Sequence, residues 1–309
     1  MDFALWKARF HDWLEVHFPS QDTLTNCLQG VRPFFEFVKS LGLSSWTEAN
    51  RDVLEEYRNR VFFSRHPRTG QPLKVGTHVA RLMAVKVFFR FLVTEGYLLA
   101  DPAALLELPR RKPPLPAVLS EPETLRLMEM PNPQTHFGIR DRTILEVLYG
   151  TGMRNGEMCA LDLKDVDLAV HLVRIQQGKG NKPQVVPLGQ EAQMWLETYL
   201  EQVRPHLLRN PLLGAVFLDR WGHNRLGRAG VCEIVRRLGR EAQLGKAVTP
   251  HILRHSCATH MLRRGAGLRQ IQQLLGHSQI SSTEHYTRVE VSDLRRVIAR
   301  CHPRERGKS

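Results

Sequence analysis

Cysteine is scarce in this chain and poorly placed for a structural role. The five residues Cys27, Cys159, Cys232, Cys257 and Cys301 are odd in number, widely scattered and form no CxxC pair. Disulfide frameworks need paired thiols and structural zinc sites need closely spaced ones, so neither is expected, and a reducing cytoplasm fits. The sequence has no run of about 18 apolar residues, so no membrane span is expected. The opening MDFALWKARFHDW lacks a basic segment followed by an apolar one, so no signal peptide is expected. Gly178–Lys182 (GKGNK) invites a nucleotide-binding reading, but the GxxxxGK[ST] pattern of a phosphate-cradling loop is absent. Internal repeats and low-complexity tracts are also missing.

What is present points to two cores and a polyanion. A chain of 309 residues exceeds the usual single core, and 42% hydrophobic content excludes a disordered chain. Lys and Arg number 44 against 31 Asp and Glu, a net charge of +13. Neutralising phosphates releases their condensed counterions, so a basic surface implies a nucleic-acid partner. Residues 105–309 hold 31 basic and 20 acidic side chains, whereas residues 1–104 hold 13 and 11. Within the latter, residues 51–100 carry 9 basic against 4 acidic, making that half the better DNA-facing candidate.

The apolar spacing of residues 1–100 predicts a bundle of four or five helices. The first covers residues 1–18, and the second runs from a Ser20 cap to about Leu41 with a kink or split at Pro33. A third starts after Ser45 and reaches about Arg65, HPRTGQP (66–72) is a loop, and a fourth covers roughly 74–95, ending at Gly96. The following segment contains Pro102, Pro109, Pro113, Pro114 and Pro116 around Arg110, Arg111 and Lys112. Such a stretch is extended and stiff, and residues 105–117 read either as a basic interdomain linker or as a solvated surface loop.

A second domain then covers 118–309. Ser120 with Glu121 and Glu123 opens a helix. GIRDRTILEVLYGTGM (138–153) is helical until Gly150 and Gly152 break it, and a short helix starts from Arg154. HLVRIQQ (171–177) and QVVPLG (184–189) flank the Gly–Lys turn as a hairpin, and GAVFLD (214–219) reads as a third strand. Residues 225–301 are helical, with breaks at Gly245–Lys246, Gly265–Gly267 and Gly276. The fold class is therefore mainly α with a small β-sheet: a helical domain followed by a mixed α+β one.

The chemistry concentrates in His251–Tyr286, which gathers His251, Arg254, His255, His277 and Tyr286. A hydroxyl nucleophile, a guanidinium and imidazoles are the groups needed to attack a phosphodiester. In-line attack puts extra negative charge on the non-bridging oxygens, and arginine's planar fork answers it without losing its proton. Arg154, beside a glycine break, and Arg254, among histidines, suit that role; a lone arginine elsewhere is usually a solvated or salt-bridged side chain. Tyr286 has the polar neighbours Glu284, His285, Thr287 and Arg288, which favours exposure over burial in a core. Its phenol, with a pKa of about 10, needs a base or nearby positive charge. Lys179, between two glycines, can reach a groove and donate a proton to a departing oxygen; Lys182 competes for the same task. His251 and His277 suit proton transfer or phosphate binding, the alternative being hydrogen-bonded structural histidines. The i, i+4 pair His251 and His255 lacks a nearby acid to complete a metal site, and His255 reads as structural.

Four stretches, TGMRNGEMCAL, GKGNK, HILRH and LGHSQISSTEHY, occur in this order. Arg254 lies three residues after His251, His277 twenty-six after it, and Tyr286 nine after His277. Together they resemble the tyrosine recombinase (phage integrase) family, nearest its Xer-like and transposon-borne members, over most of 120–290. The helical residues 1–104 resemble that family's core-binding domain more weakly.

The resemblance implies a site-specific recombinase that cuts and rejoins double-stranded DNA through a 3′-phosphotyrosyl intermediate, with no metal or cofactor. It assigns Arg154, Lys179, His251, Arg254, His277 and Tyr286 to catalysis, with Lys179 the matching lysine, His251 assisting as general base and His277 donating to the scissile phosphate. It implies a homo- or hetero-tetramer on DNA, with a possible partner recombinase, acting in the cytoplasm without a membrane, in DNA recombination, integration or transposition. The alternatives are a type IB topoisomerase-like enzyme and a DNA-binding protein that has lost catalysis. Two features depart from the family pattern: Asn155 stands where a hydrophobic residue is usual, and Pro33 falls in a helix normally unbroken. The stripe Val291, Leu294, Val297 and Ile298 needs a partner surface, either its own domain or, as in similar recombinases, a neighbouring protomer.

Overall fold

The computed structural model describes residues 2–18, 21–67, 69–109, 117–176, 183–276 and 288–305. The chain divides into two compact units, Met1–Pro114 and Leu115–Ser309. Among the described residues, no helix is long and apolar enough to cross a membrane.

The first unit is helical. Helix α1 (Phe3–His17) is capped by the Asp2 carboxylate, which accepts from the Ala4 and Leu5 amides at 2.9 and 3.1 Å. Helix α2 (Gln21–Ser40) runs through Pro33 without the expected split. The proline removes one backbone donor, but Val31, Phe34, Phe35, Phe37 and Val38 on either side are all buried, and their packing holds the two halves in one helix. Helices α2 and α4 (Val75–Thr94) approach so closely that a Cβ on Gly30 would sit 2.7 Å from that of Ala84.

The single helix expected from Ser45 to Arg65 is two. Ser45 caps a 3-10 turn, Trp46–Glu48, and Asn50 restarts the chain as α3 (Arg51–Phe63) by accepting from the Val53 amide at 3.1 Å. Aromatic rings fill this core: Phe34 meets Tyr57 and Phe89 edge-on, and Phe88 meets Trp46. The unit does not stop at residue 104, because Ala103 and Leu106 are buried in the same core. Lys86 donates to the Ala104 and Leu106 carbonyls at 2.8 and 3.1 Å.

The second unit is mainly helical around a three-stranded antiparallel sheet. Ser120 and Glu123 form a reciprocal capping box at the start of α5 (Glu121–Glu129). Helix α6 (His136–Thr151) is almost entirely buried and continues through Gly150, where a Cβ would meet that of Ala192 at 3.1 Å. It ends at Gly152 in the left-handed conformation, φ +61°. Helix α7 (Asn155–Ala160) follows at once. The predicted hairpin forms from β2 (Leu172–Ile175) and β3 (Gln184–Pro187), with Val173 opposite Val186. Its turn, 177–182, lies outside the described residues.

The third strand is β1 (Val166–Asp167), paired to β2, and not 214–219. Residues 215–218 are fully buried but make only isolated bridges at Ala215 and Leu218. Side chains take the carbonyls a ladder would have used: Arg204 donates to Leu213 and Ala215, Tyr199 to Val216 and Arg140 to Leu218. Those donors stand on α6 and on a helical stretch made of α8 (Gln190–Thr198), a π-helical turn (Tyr199–Val203) and α9 (Arg204–Leu207).

Helices α10 (Arg228–Glu241), α11 (Pro250–Arg263), α12 (Leu268–Leu274) and α13 (Arg288–Cys301) complete the unit. They are separated where predicted, at Gly245, Gly265 and Gly276, each with positive φ. Leu294, Val297 and Ile298 of α13 are buried in the unit's own core. The tail beyond is wired into the same domain. Arg304 pairs with Glu146 at 2.7 Å and Glu191 at 3.1 Å, and Glu305 accepts from the Gln190 amide at 2.8 Å.

Candidate active site

Arg154 occupies the junction between α6 and α7. Its amide donates to one carboxylate oxygen of Glu157 at 2.7 Å, and its guanidinium donates to the other at 2.5 Å. Glu157 is buried while the Arg154 side chain is a third exposed, so the carboxylate anchors a guanidinium whose outer edge faces solvent. Asn155, the departure from the family pattern, is bonded on both sides. Its amide nitrogen donates to the Arg228 carbonyl at 3.1 Å, and its oxygen accepts from the Cys159 thiol at 3.3 Å. The Arg228 contact ties the short α7 to the first turn of α10.

Helix α11 carries His251 and Arg254 one turn apart. Thr249 caps it by accepting from the Ile252 amide at 3.3 Å, and Pro250 pre-sets its first turn. His251 is exposed and Arg254 buried. The Arg254 guanidinium donates to the Gly152 carbonyl at 2.5 Å and the Leu275 carbonyl at 2.6 Å. Gly152 stands two residues before Arg154, and Leu275 two before His277. The Leu275 side chain also packs on Gly152, where a Cβ would meet it at 2.7 Å. Burial first, and then the like charge of Arg154, push the Arg254 pKa down to about 10, while Glu157 opposes the fall. Arg254 therefore stays a cation at neutral pH, within electrostatic reach of Arg154.

Gln184 is a residue that sequence reasoning missed. From the first position of β3 its amide donates to the Gln273 and Leu274 carbonyls at 2.8 and 2.9 Å. Its oxygen lies only 2.4 Å from where a Cβ on Gly276 would be. The hairpin base is thus fastened to the end of α12, immediately before His277. Lys179, His277 and Tyr286 themselves lie outside the described residues. The other two tyrosines of this unit, Tyr149 and Tyr199, are fully buried, and burial raises both pKa values, that of Tyr199 to about 12.

A second missed group is a buried chain beneath α11. His260 donates from Nε2 to the Leu119 carbonyl, so its Nδ1 accepts from the Tyr149 hydroxyl, both at 2.8 Å. The Leu119 amide donates to Ser256 at 2.9 Å. Both backbone groups of the residue that leads into α5 are therefore held by α11. Among the described residues, neither His251 nor His255 belongs to a three-ligand cluster that could hold a metal ion.

This architecture and these sites can be set beside known proteins. The phage integrase family model matches residues 117–292, and the chain belongs to that family. It is 44% identical over 286 residues to the tyrosine recombinase XerD of Staphylococcus epidermidis, covering 92% of this chain and 94% of that protein. It is 36% identical to tyrosine recombinase XerC 2 of Ralstonia nicotianae, covering 94% and 85%. The fold is shared with the XerH site-specific recombinase in a post-cleavage complex with DNA (TM-score 0.67, 19% identity, 96% and 94% covered). It is also shared with a lambda integrase tetramer bound to a Holliday junction (TM-score 0.67, 17% identity, 91% and 76% covered).

Proposed function

We propose that this enzyme performs site-specific recombination of double-stranded DNA, with Tyr286 as nucleophile. The Tyr286 oxygen bonds to phosphorus while the bond from phosphorus to the 5′ oxygen breaks, and His251 assists removal of the phenol proton. Lys179 supplies a proton to the departing 5′ oxygen. Arg154 and Arg254 hold the charge that builds on the non-bridging oxygens, and His277 donates to the same phosphate. The 3′-phosphotyrosyl link keeps the bond energy, so the reverse attack rejoins strands without ATP.

The observation that carries this reading is the double carbonyl anchorage of Arg254. It sets an immobile cation between the segment leading into Arg154 and the one leading into His277. The burial of Tyr149 and Tyr199, which shields the other two phenols of this unit, supports the assignment to Tyr286. The helical unit whose core takes in Ala103 and Leu106 acts as a core-binding domain on the same duplex, and the proline-rich basic segment after it acts as the linker. The lambda integrase tetramer on its junction supports a homo- or hetero-tetramer here, with a partner recombinase as one form. The work is done in the cytoplasm.

The test is covalent capture. The full chain is incubated with fragmented genomic DNA, adducts are recovered, and the sequenced junction is rebuilt as a nicked duplex that traps the intermediate. A 3′-linked adduct that vanishes in Tyr286→Phe is expected. Binding to the genomic fragments with no covalent adduct recovered, or an adduct that persists in Tyr286→Phe, would overturn the proposal, and supercoil relaxation without strand exchange would redirect it to a topoisomerase.

A further inference from the structure

Tryptophan is rarely left in solvent on a rigid turn, because its large apolar face gains most from burial. Of the five tryptophans, Trp13 and Trp46 are buried and Trp6 and Trp195 half-buried, whereas Trp221 is 64% exposed. It stands at the tip of the turn that precedes α10. The Arg220 guanidinium lies 4.5 Å from the centre of its ring.

The turn is built to hold this pair in place. Asp219 accepts from the Trp221 amide at 3.0 Å and from the Asn224 side chain at 3.3 Å. Gly222, at φ +72°, has no room for a Cβ, which would fall 1.7 Å from the Leu207 carbonyl. Its own carbonyl accepts from the Arg209 amide at 3.0 Å. On the return side Arg225 donates to the Cys159 and Leu161 carbonyls at 2.9 and 2.8 Å, at the end of the helix that Arg154 begins. The tip is thus fixed relative to α7, and so to the Arg154 side of the candidate site.

Charge decides what the tip meets. The Asp219 oxygens are occupied within the turn, and Asp162 is paired with Arg225 at 2.5 Å. Arg220 has no ion pair among the described residues. An aromatic face beside an uncompensated guanidinium suits a sugar–phosphate strand: the ring packs on deoxyribose or a base and the cation meets phosphate.

We infer that Trp221 and Arg220 form a DNA-contacting tip that grips the duplex beside the cleavage point. This rests on the proposed recombinase reading, and the experiment separates the two. The full chain is bound to the duplex rebuilt from the captured junction, and tryptophan emission is followed during acrylamide quenching. Acrylamide is neutral, so surface charge does not bias it. Binding is expected to remove most of the quenchable emission, and Trp221→Phe to abolish that change. Trp221→Ala is expected to weaken binding about fivefold or more, with Phe restoring most of the loss. Arg220→Ala is expected to lower the salt slope of binding by about one. An unaltered quenching profile on a duplex the protein still cleaves would overturn this inference while leaving the recombinase reading intact. A Trp221→Ala protein that loses self-association but keeps its DNA affinity would overturn it too, assigning the tip to a second copy.

Discussion

Replacing Glu157 with glutamine tests whether Arg154 is held by charge or only by shape. The side chain is 6% exposed and makes two contacts with Arg154, to its amide and its guanidinium. Glutamine keeps an acceptor for the amide but loses the anion that faces the guanidinium. A hydrogen bond to a charged partner is worth about 1.5–3 kcal/mol, and the helix-start acceptor lost in addition with alanine about 1 kcal/mol. For a domain of this size each kcal/mol moves Tm by about 2–4 °C, so Glu157→Gln is expected to lower it by about 5 °C and Glu157→Ala by about 10 °C. With its anchor gone, Arg154 also acts on Arg254 without the Glu157 charge that opposes it, and the two cations repel. DNA binding by fluorescence anisotropy should stay within about twofold, because no positive charge is removed. Single-turnover cleavage of the nicked duplex should fall by about tenfold or more, since it depends on where that guanidinium sits. Wild-type cleavage by a thermally destabilised Glu157→Gln protein would refute the reasoning. So would a fall in cleavage matched by an equal fall in affinity.

Three further outcomes follow from the same geometry. Gly152→Ala puts a side chain at φ +61° and against Leu275, and should cost about 2–3 kcal/mol in urea unfolding while slowing cleavage through Arg254. Arg254→Lys keeps the charge but cannot span both carbonyls and a phosphate, so cleavage should drop by about 100-fold with binding retained. Burial, opposed by a bond to the Tyr149 carbonyl, lowers the His302 pKa to about 4. Above about pH 6.5 neither folded nor unfolded imidazole is charged and stability is unaffected. As pH falls from there towards 4, only the unfolded chain takes the proton, so stability drops by about 3 kcal/mol. His302→Gln should remove that part of the pH dependence of urea unfolding.

The features visible in the sequence are those decided over a few residues. Ser120 with Glu123 announces a helix start through local hydrogen bonds, and Gly152, Gly245 and Gly265 announce ends because the left-handed region excludes most other residues. The placing of Arg154 at a helix start and of His251 and Arg254 within a helical stretch is legible in the same local way. Features set by distant partners are not. The run 214–219 has strand composition, yet arginines and a tyrosine from other helices take its carbonyls, and composition cannot show that. Pro33 predicts a kink or split by a sound local rule; the helix runs on without the split, held by five buried neighbours. Gln184 looked like one more strand residue, and only tertiary structure reveals that it fastens the hairpin to α12.

The same distinction explains why Arg254 can be buried at all. A guanidinium has five N–H donors and cannot give up its charge cheaply, so a core position is costly unless donors are matched. Two of them go to carbonyls that helix ends leave without partners: Leu275 closes α12, and Gly152 ends α6. Capping two helices and steadying a cation are thus one interaction. In the proposed reaction its remaining N–H groups would meet phosphate oxygens. A lysine, with a single nitrogen, could satisfy the helix ends or the phosphate, but not hold both in fixed register. The backbone thus favours arginine at 254 independently of the role proposed for it in the reaction. A substitution that frees either carbonyl should disturb folding and cleavage together, whereas Tyr286→Phe should disturb cleavage alone.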